Sequence, residues 1–298
     1  MTDNVSEEIK QLKSDDIHGA SSLALHAINT LNLAVSQSRA ATSEEFVREI
    51  RLIAKELASA RPNITPIAYY ANQFLHQILT RYGKDTDVDS IKRFAELKGK
   101  DLLKTATKAF SKTVEYASGI ISDLDTIVTC SFSSTVCQVL EQASQRETRF
   151  RVLVAASKFG DKAYGELTAT QLMKHQILVE IIPDASINFR ISKADKALVG
   201  ADSITGDGYL INGKPTRLLA QAAKSKNIPF FVACESSKFT IPGYVTKTTE
   251  LESGFERIPL DLITAIITGK GTMLPGLVMS YIDEKAEEMA HLSSPKGE

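Results

Sequence analysis

From the N-terminus to about Ser118, apolar residues recur every three or four positions. Ile17, Ala20, Leu23, Ala24, Ala27 and Ile28 form one such series, and Phe46, Ile50, Ile53, Ala54 and Leu57 another. That period lines one face of an α-helix. Thr42 with Glu44 and Glu45 supplies an N-cap and an acidic first turn for the second series. Arg61-Pro62-Asn63 breaks the pattern, a helix follows from about Pro66 to Arg81, and Gly83 to Asp89 reads as a loop. Ile91 to Ala117 then reads as one long helix, so this region is expected to hold four or so helices and no strand.

Beyond Gly119 the pattern changes. Thr126 to Cys130, Phe150 to Ala156, Ile177 to Ile182, Ala197 to Val199 and Phe230 to Cys234 are short apolar runs of the length of strands. Helical stretches lie between several of them, at Thr135 to Ala143, Thr168 to His175 and Thr216 to Ser225. Strand alternating with helix at this spacing predicts right-handed βαβ units and a parallel sheet. Gly206-Asp207-Gly208 reads as the turn of a hairpin. The tail from Pro259 to Glu298 reads as helical, interrupted by Gly269, Gly271 and Pro275. The expected fold class is α/β, with an all-helical domain over residues 1–118 and a Rossmann-like domain with a mainly parallel sheet over 119–298.

The composition narrows the function. Thirty-five basic residues against 36 acidic ones leave a net charge of −1, which argues against direct nucleic-acid binding through bulk charge. Three cysteines in a chain of 298 residues, none in a C-x-x-C pair, suggest a reducing compartment and no disulfide framework. The polar N-terminus and the lack of a long apolar run predict no membrane span and a cytoplasmic protein. No G-x-G-x-x-G follows a strand. Gly160 to Gly165 precedes Glu166-Leu167 rather than Lys-Ser/Thr, so no cofactor is expected. The five histidines form no H-x-x-x-H pair, and no metal site is expected.

Asp202 is the first candidate residue. It follows an apolar strand with no polar residue in its body, at the end where open α/β sheets bind ligands. As a plain turn residue it would instead bond its own backbone near Ser203-Ile204. Cys130 and Ser131 end the first strand of the same sheet and are placed to face Asp202. A free cysteine is most often a small buried apolar residue, and that reading suits Cys137 and Cys234. Ser131, Ser133, Ser134 and Thr135 lead into a helix N-terminus, a favourable place for an anion, although simple N-capping would use only one of these hydroxyls.

Three segments carry a resemblance. Asp123 to Thr129, Gly200-Ala201-Asp202-Ser203-Ile204 and Ala233-Cys234-Glu235-Ser236-Ser237-Lys238-Phe239 resemble the translation initiation factor 2B alpha/beta/delta family. Phe255 to Pro259, with Leu262 to Thr268, is similar to that family's C-terminal segment. The family includes archaeal ribose 1,5-bisphosphate isomerase and methylthioribose 1-phosphate isomerase, and its fold joins a helical domain to a Rossmann-like one.

The resemblance implies particular site residues. The isomerases' Gly-Ala-Asp aspartate matches Asp202, and the arginine of their Arg-Pro-Thr motif matches Arg61. Their cysteine falls at Ser131, with Cys130 one residue early and so directed to the opposite face of an extended strand. Their Arg-Gly-Ala phosphate motif reads His18-Gly19-Ala20. Their Asn-Lys pair reads Asn212-Gly213, with Lys214 displaced by one, and their Glu-Thr-Arg-Pro stretch has become Ala156 to Gly160, without arginine.

Three functional readings follow. The first is a regulatory, translation-factor-like member that binds protein partners, among them an initiation factor, and senses a sugar phosphate or nucleotide. The second is a sugar-phosphate aldose–ketose isomerase. Asp202 would be its acid/base, assisted by Cys130 or Ser131, with Gly19, Ala20, Arg61, Asn212 and Lys214 holding phosphate. The third is a scaffold for homodimerisation alone. Family membership implies a homodimer or higher homo-oligomer, and Ile263 to Ile267 is the candidate contact. Loss of two arginines and of the thiol favours the first reading, because a bisphosphate calls for guanidinium partners.

Overall fold

The computed structural model describes residues 2–83, 86–245 and 250–293. It divides into two units, one of residues 1–108, 239–248 and 280–298, the other of 109–238 and 249–279. The division differs from a single cut after 118, because two later segments group with the helical unit.

The helical unit begins with α1 (Asp3–Ser14), α2 (Ala20–Gln37), α3 (Ser43–Ala58) and α4 (Thr65–Arg81). It continues into α5 (Val88–Ser118), which runs through the division point. The sequence pattern missed α1 as a separate helix, although Val5, Ile9 and Leu12 face the core from it. Residues 84–85 of the expected loop lie outside the described residues, and the helix starts at Val88. Thr42 caps α3 as its sequence predicts. Its hydroxyl accepts from the Glu45 amide at 3.2 Å, and the Glu45 carboxylate accepts from the Ala41 amide at 3.0 Å. Phe46, Ile50, Phe74, Leu31 and Ile28 are among the fully buried core residues here. Each such side chain contributes roughly 1.5–3 kcal/mol relative to an exposed one.

The second unit is built on a seven-stranded sheet. Its chain order is β1 (Thr126–Thr129), α6 (Ser134–Gln145), β2 (Arg151–Ala155), the small hairpin β3 (Lys158–Phe159) and β4 (Lys162–Ala163), then α7 (Tyr164–Met173) and β5 (Leu178–Ile182). There follow α8 (Ile187–Arg190), β6 (Lys196–Val199), the hairpin β7 (Ser203–Thr205) and β8 (Tyr209–Gly213), α9 (Thr216–Ser225) and β9 (Phe230–Ala233). Last come β10 (Phe255–Pro259), β11 (Ala265–Thr268), β12 (Gly271–Met273) and α10 (Val278–Ser293). The α10 helix crosses into the helical unit at Ser280. The expected helical tail is helical from Val278 but opens with two strands, β11 and β12, because Ala265-Ile266-Ile267-Thr268 is an apolar, largely β-branched run buried at every position. Residues 294–298 of that tail lie outside the described residues.

The sheet order is β12-β11-β9-β6-β1-β2-β5, and all neighbours pair in parallel except β12, which is antiparallel to β11. Counted along the chain, the six parallel strands stand in the order 3-2-1-4-5-6 across the sheet. This is the doubly wound arrangement, and its direction reverses between β1 and β6. A separate antiparallel sheet, β10-β8-β7, is inserted after β6. In the candidate contact segment Ile263 to Ile267, Ile263, Ala265, Ile266 and Ile267 are buried, with β11 paired between β9 and β12.

Candidate functional site

The switch point between β1 and β6 is where a doubly wound sheet opens a crevice at its carboxyl edge. Cys130 and Ser131 leave β1 there, and Gly200, Ala201 and Asp202 leave β6. The Asp202 amide donates to the Ile211 carbonyl at 3.0 Å, which ties this carboxylate-bearing residue to β8 one residue before Asn212. Asp202 is half-buried, and Asn212 is buried.

Cys130 does not present a thiolate to this crevice. It is 2% exposed, and its Sγ lies 3.3 Å from Thr216 Oγ1. Burial pushes its thiol up to about 12, the Thr216 hydroxyl opposes the shift, and the carboxylates of Glu256 and Asp184 add to it. The same hydroxyl anchors the neighbouring groups. Thr216 Oγ1 donates to the Gly213 carbonyl at 2.6 Å and accepts from Asn212 Nδ2 at 2.9 Å. Asn212 is thus tied to the first residue of α9.

Ser131, half-exposed, adopts φ +61°, the left-handed region that disfavours a non-glycine residue. Its backbone is held from two sides. The Ser131 amide donates to Ser157 Oγ at 2.7 Å, and Thr168 Oγ1 donates to its carbonyl at 2.8 Å. Its hydroxyl sits against Gly213, where an added Cβ would come within 2.4 Å of Oγ. Ser133 caps α6, its Oγ accepting from the Val136 amide at 3.3 Å, and it leaves only glycine-sized space at Gly200. Of the hydroxyls leading into α6, Ser133 is the one that serves as the cap.

Lys214 is exposed, and its Nζ stands 5.9 Å from the centre of the Phe159 ring. The Glu256 carboxylate accepts from the Arg217 amide in the first turn of α9 at 2.5 Å. Burial raises its pKa, against the opposing effect of that amide and of the Lys214 and Arg217 charges. The remaining expected residues lie in the helical unit. Gly19 is the N-cap of α2, Ala20 is its buried first residue, and Arg61 donates through Nη1 to the Asp15 carbonyl. His18, standing where the isomerase motif has arginine, pairs through Nδ1 with Asp15 Oδ2 at 2.7 Å. Among the described residues, no cluster of three or more His, Cys, Asp or Glu side chains is arranged to hold a metal ion.

The sequence profile of the Initiation factor 2 subunit family matches residues 16–254. The chain belongs to this family. One family relative is the ribose 1,5-bisphosphate isomerase of Thermococcus kodakarensis, 27% identical over 305 residues that cover 94% of each protein. Another is the protein named eIF-2B subunit 2-like in Pyrococcus furiosus, 27% identical over 288 residues, 92% of this chain and 98% of that one. Among solved structures, the Pyrococcus horikoshii translation initiation factor eIF-2B superposes with a TM-score of 0.78 at 26% identity. That match covers 92% of this chain and 98% of the other. The family thus holds both an enzyme name and a translation-factor name at similar distance from this chain.

Four side chains around these loops, Lys238, Glu235, Thr216 and Glu256, were not among the expected site residues. Lys238, 2% exposed, donates to the Ala201 carbonyl at 2.7 Å and lies 3.6 Å from the Glu235 carboxylate, itself 4% exposed. A buried ion pair therefore holds the loop that carries Asp202. The signal was the acid and base three residues apart just past a buried strand, which is the spacing of a one-turn contact. Thr216 and Glu256 gave no such signal, since one reads as a helix start and the other as an exposed strand residue.

Proposed function

We propose that this chain is a regulatory, partner-binding member of the family, of the initiation factor 2B subunit type, without isomerase activity. The observation that carries the reading is the pair at the end of β1. The thiol of Cys130 is buried, hydrogen-bonded to Thr216 and raised to about 12, while the next residue toward the crevice is a serine. A serine hydroxyl does not exchange protons near neutral pH as a cysteine thiol does. Asp202 is left without a second proton carrier of the kind the isomerase pattern uses.

The anion-holding groups support the same reading. His18 stands in place of an arginine and is engaged by Asp15, and residues 156–160 carry no arginine. In the sheet unit, Asn212 and Lys214 are the positions we assign to holding a sugar phosphate or nucleotide as a sensed ligand; Gly19, Ala20 and Arg61 are the positions of the helical unit that match the family's phosphate motifs. The protein acts in the cytoplasm as a homo-oligomer, and its protein partner is an initiation factor.

The isomerase reading keeps one specific observation in its favour, the Gly200-Ala201-Asp202 turn at the switch point beside Asn212. In that reading Asp202 is the acid/base, and Cys130 or Ser131 assists.

Calorimetric titration separates ligand from partner. Ribose 1,5-bisphosphate, a nucleoside monophosphate and purified initiation factor 2 are each titrated into the wild type and into Asn212→Ala. Binding of the initiation factor is expected in both proteins, and small-ligand heat in the wild type only. Absence of initiation-factor binding under all conditions would remove the partner-binding assignment.

A further inference from the structure

The hairpin of β3 and β4 follows β2 at the carboxyl edge of the seven-stranded sheet, and it carries one aromatic ring, Phe159, which is 36% exposed. Exposed as it is, the ring has a seat. A Cβ added at Gly254 would come within 3.2 Å of its Cδ1 and Cε1, so the ring lies in a notch that only glycine leaves open. Gly254 also holds φ +103°, a conformation that glycine alone adopts readily. The carbonyl of the same glycine accepts from the Lys214 amide at 2.9 Å. One notch thus holds the ring and fixes the backbone of Lys214, and it leaves the lysine side chain to move.

Lys214 Nζ rests over that ring, 5.9 Å from its centre. Among the described residues, no hydrogen bond or ion pair takes up this ammonium. Glu256 is close enough for the Lys214 and Arg217 charges to oppose the rise in pKa that burial gives it, but its carboxylate is engaged by the Arg217 amide at 2.5 Å. A lysine ammonium carries three donors. At an exposed site a ring face answers such a charge weakly, whereas charged hydrogen bonds to phosphate oxygens are roughly twice as strong as neutral ones.

We propose that Phe159 is a built-in competitor for Lys214, holding the ammonium until the phosphate of the sensed ligand takes it. The proposal rests on the assignment of Lys214 to that ligand above, and it adds the residue that tunes the affinity. The ring contact is lost when phosphate binds, so it subtracts from the free energy of binding. The ring stays in its notch beside Gly254, and the flexible stem of the lysine makes the movement. Removing the aromatic face therefore tightens binding. Deleting a ligand contact, or loosening the fold, does the opposite.

The test is calorimetric titration of the full-length protein with ribose 5-phosphate, which carries one phosphate and no base. Phe159→Leu is expected to bind it roughly two- to fivefold more tightly than the wild type, the strength of an exposed cation–π contact read as a binding constant. Phe159→Trp presents a stronger aromatic face and is expected to bind more weakly than the wild type. It also places a tryptophan in a chain that has none, so its emission is expected to change as Lys214 leaves the ring. Lys214→Met is expected to lose most of the binding. The affinity order Leu, Phe, Trp at position 159 cannot come from damage to the fold, which would weaken both variants. Phe159→Leu binding no more tightly than the wild type, or Phe159→Trp emission unmoved at saturation, would overturn the competitor and leave the ligand assignment intact. No binding by either the wild type or Phe159→Leu, or undiminished binding by Lys214→Met, would overturn both.

Discussion

Cys130 and Thr216 share a buried contact, Sγ 3.3 Å from Oγ1, that joins the end of β1 to the first residue of α9. Burial, against the opposing effect of that hydroxyl, keeps the thiol protonated and out of reach of reagents. Iodoacetamide at pH 8 is therefore expected to leave Cys130 unlabelled in the native protein, with full labelling in urea. Peptide mass spectrometry reads the site directly, and native labelling within minutes would show the thiol to be reactive.

All three thiols, Cys130, Cys137 and Cys234, are pushed up to about 12 by burial, from an ordinary value of 9.0. The folded chain keeps these protons where the unfolded chain releases them. Their contribution to stability is thus complete below about pH 9 and is lost as pH rises toward 12. Each thiol removes up to roughly 1.4 kcal/mol per pH unit in that window. Urea midpoints are expected to fall from pH 9 upward, and less steeply in Cys137→Ala, which removes one titrating group. Equal slopes in the two proteins would contradict this origin.

Much of the fold was legible because its signals are local. Thr42 and Glu45 announced the start of α3, and Thr216 to Ser225 became α9 with the bounds its period gave. The tail was misread because Gly269, Gly271 and Pro275 resemble interruptions of a helix. They instead punctuate two short strands, of which β11 pairs with β9 more than thirty residues back along the chain and β12 pairs with β11. The position of Asp202, just past an apolar strand, was legible. The Thr216 bond to Cys130 was not, since it spans 86 residues and depends on how β8 returns the chain.

Ser131 and Gly213 form a second coupled pair. Adding a Cβ at 213 forces the Ser131 hydroxyl, 2.4 Å away, to turn. Gly213→Ala is expected to destabilise by about 1 kcal/mol, at the mild end for overpacking against a side chain that can rotate. Ser131→Gly is expected to stabilise by about 1 kcal/mol, since it relieves the positive φ. In the double variant the Gly213→Ala penalty should largely disappear. Urea denaturation of the four proteins measures the coupling, and strict additivity would show that the two side chains do not meet.

Lys238 and Glu235 bear on the loop before Asp202. Lys238→Met removes the cation from a buried carboxylate and the donor from the Ala201 carbonyl. A loss of about 3–5 kcal/mol is expected, because an unpaired buried charge remains. Replacing both residues, as Lys238→Met with Glu235→Leu, should recover a large part of that loss. Thermal melts under one buffer compare them, and a double variant no more stable than the single would contradict the ion-pair account.

The absence of isomerase chemistry is the central claim, and turnover tests it most directly. Purified protein is incubated with ribose 1,5-bisphosphate, and carbon-13 NMR follows the C2 carbonyl of the ketose, with Asp202→Asn alongside. No ketose from either protein is the expected result. Ketose formed by the wild type and abolished in Asp202→Asn would contradict the account and establish Asp202 as the acid/base of an active isomerase.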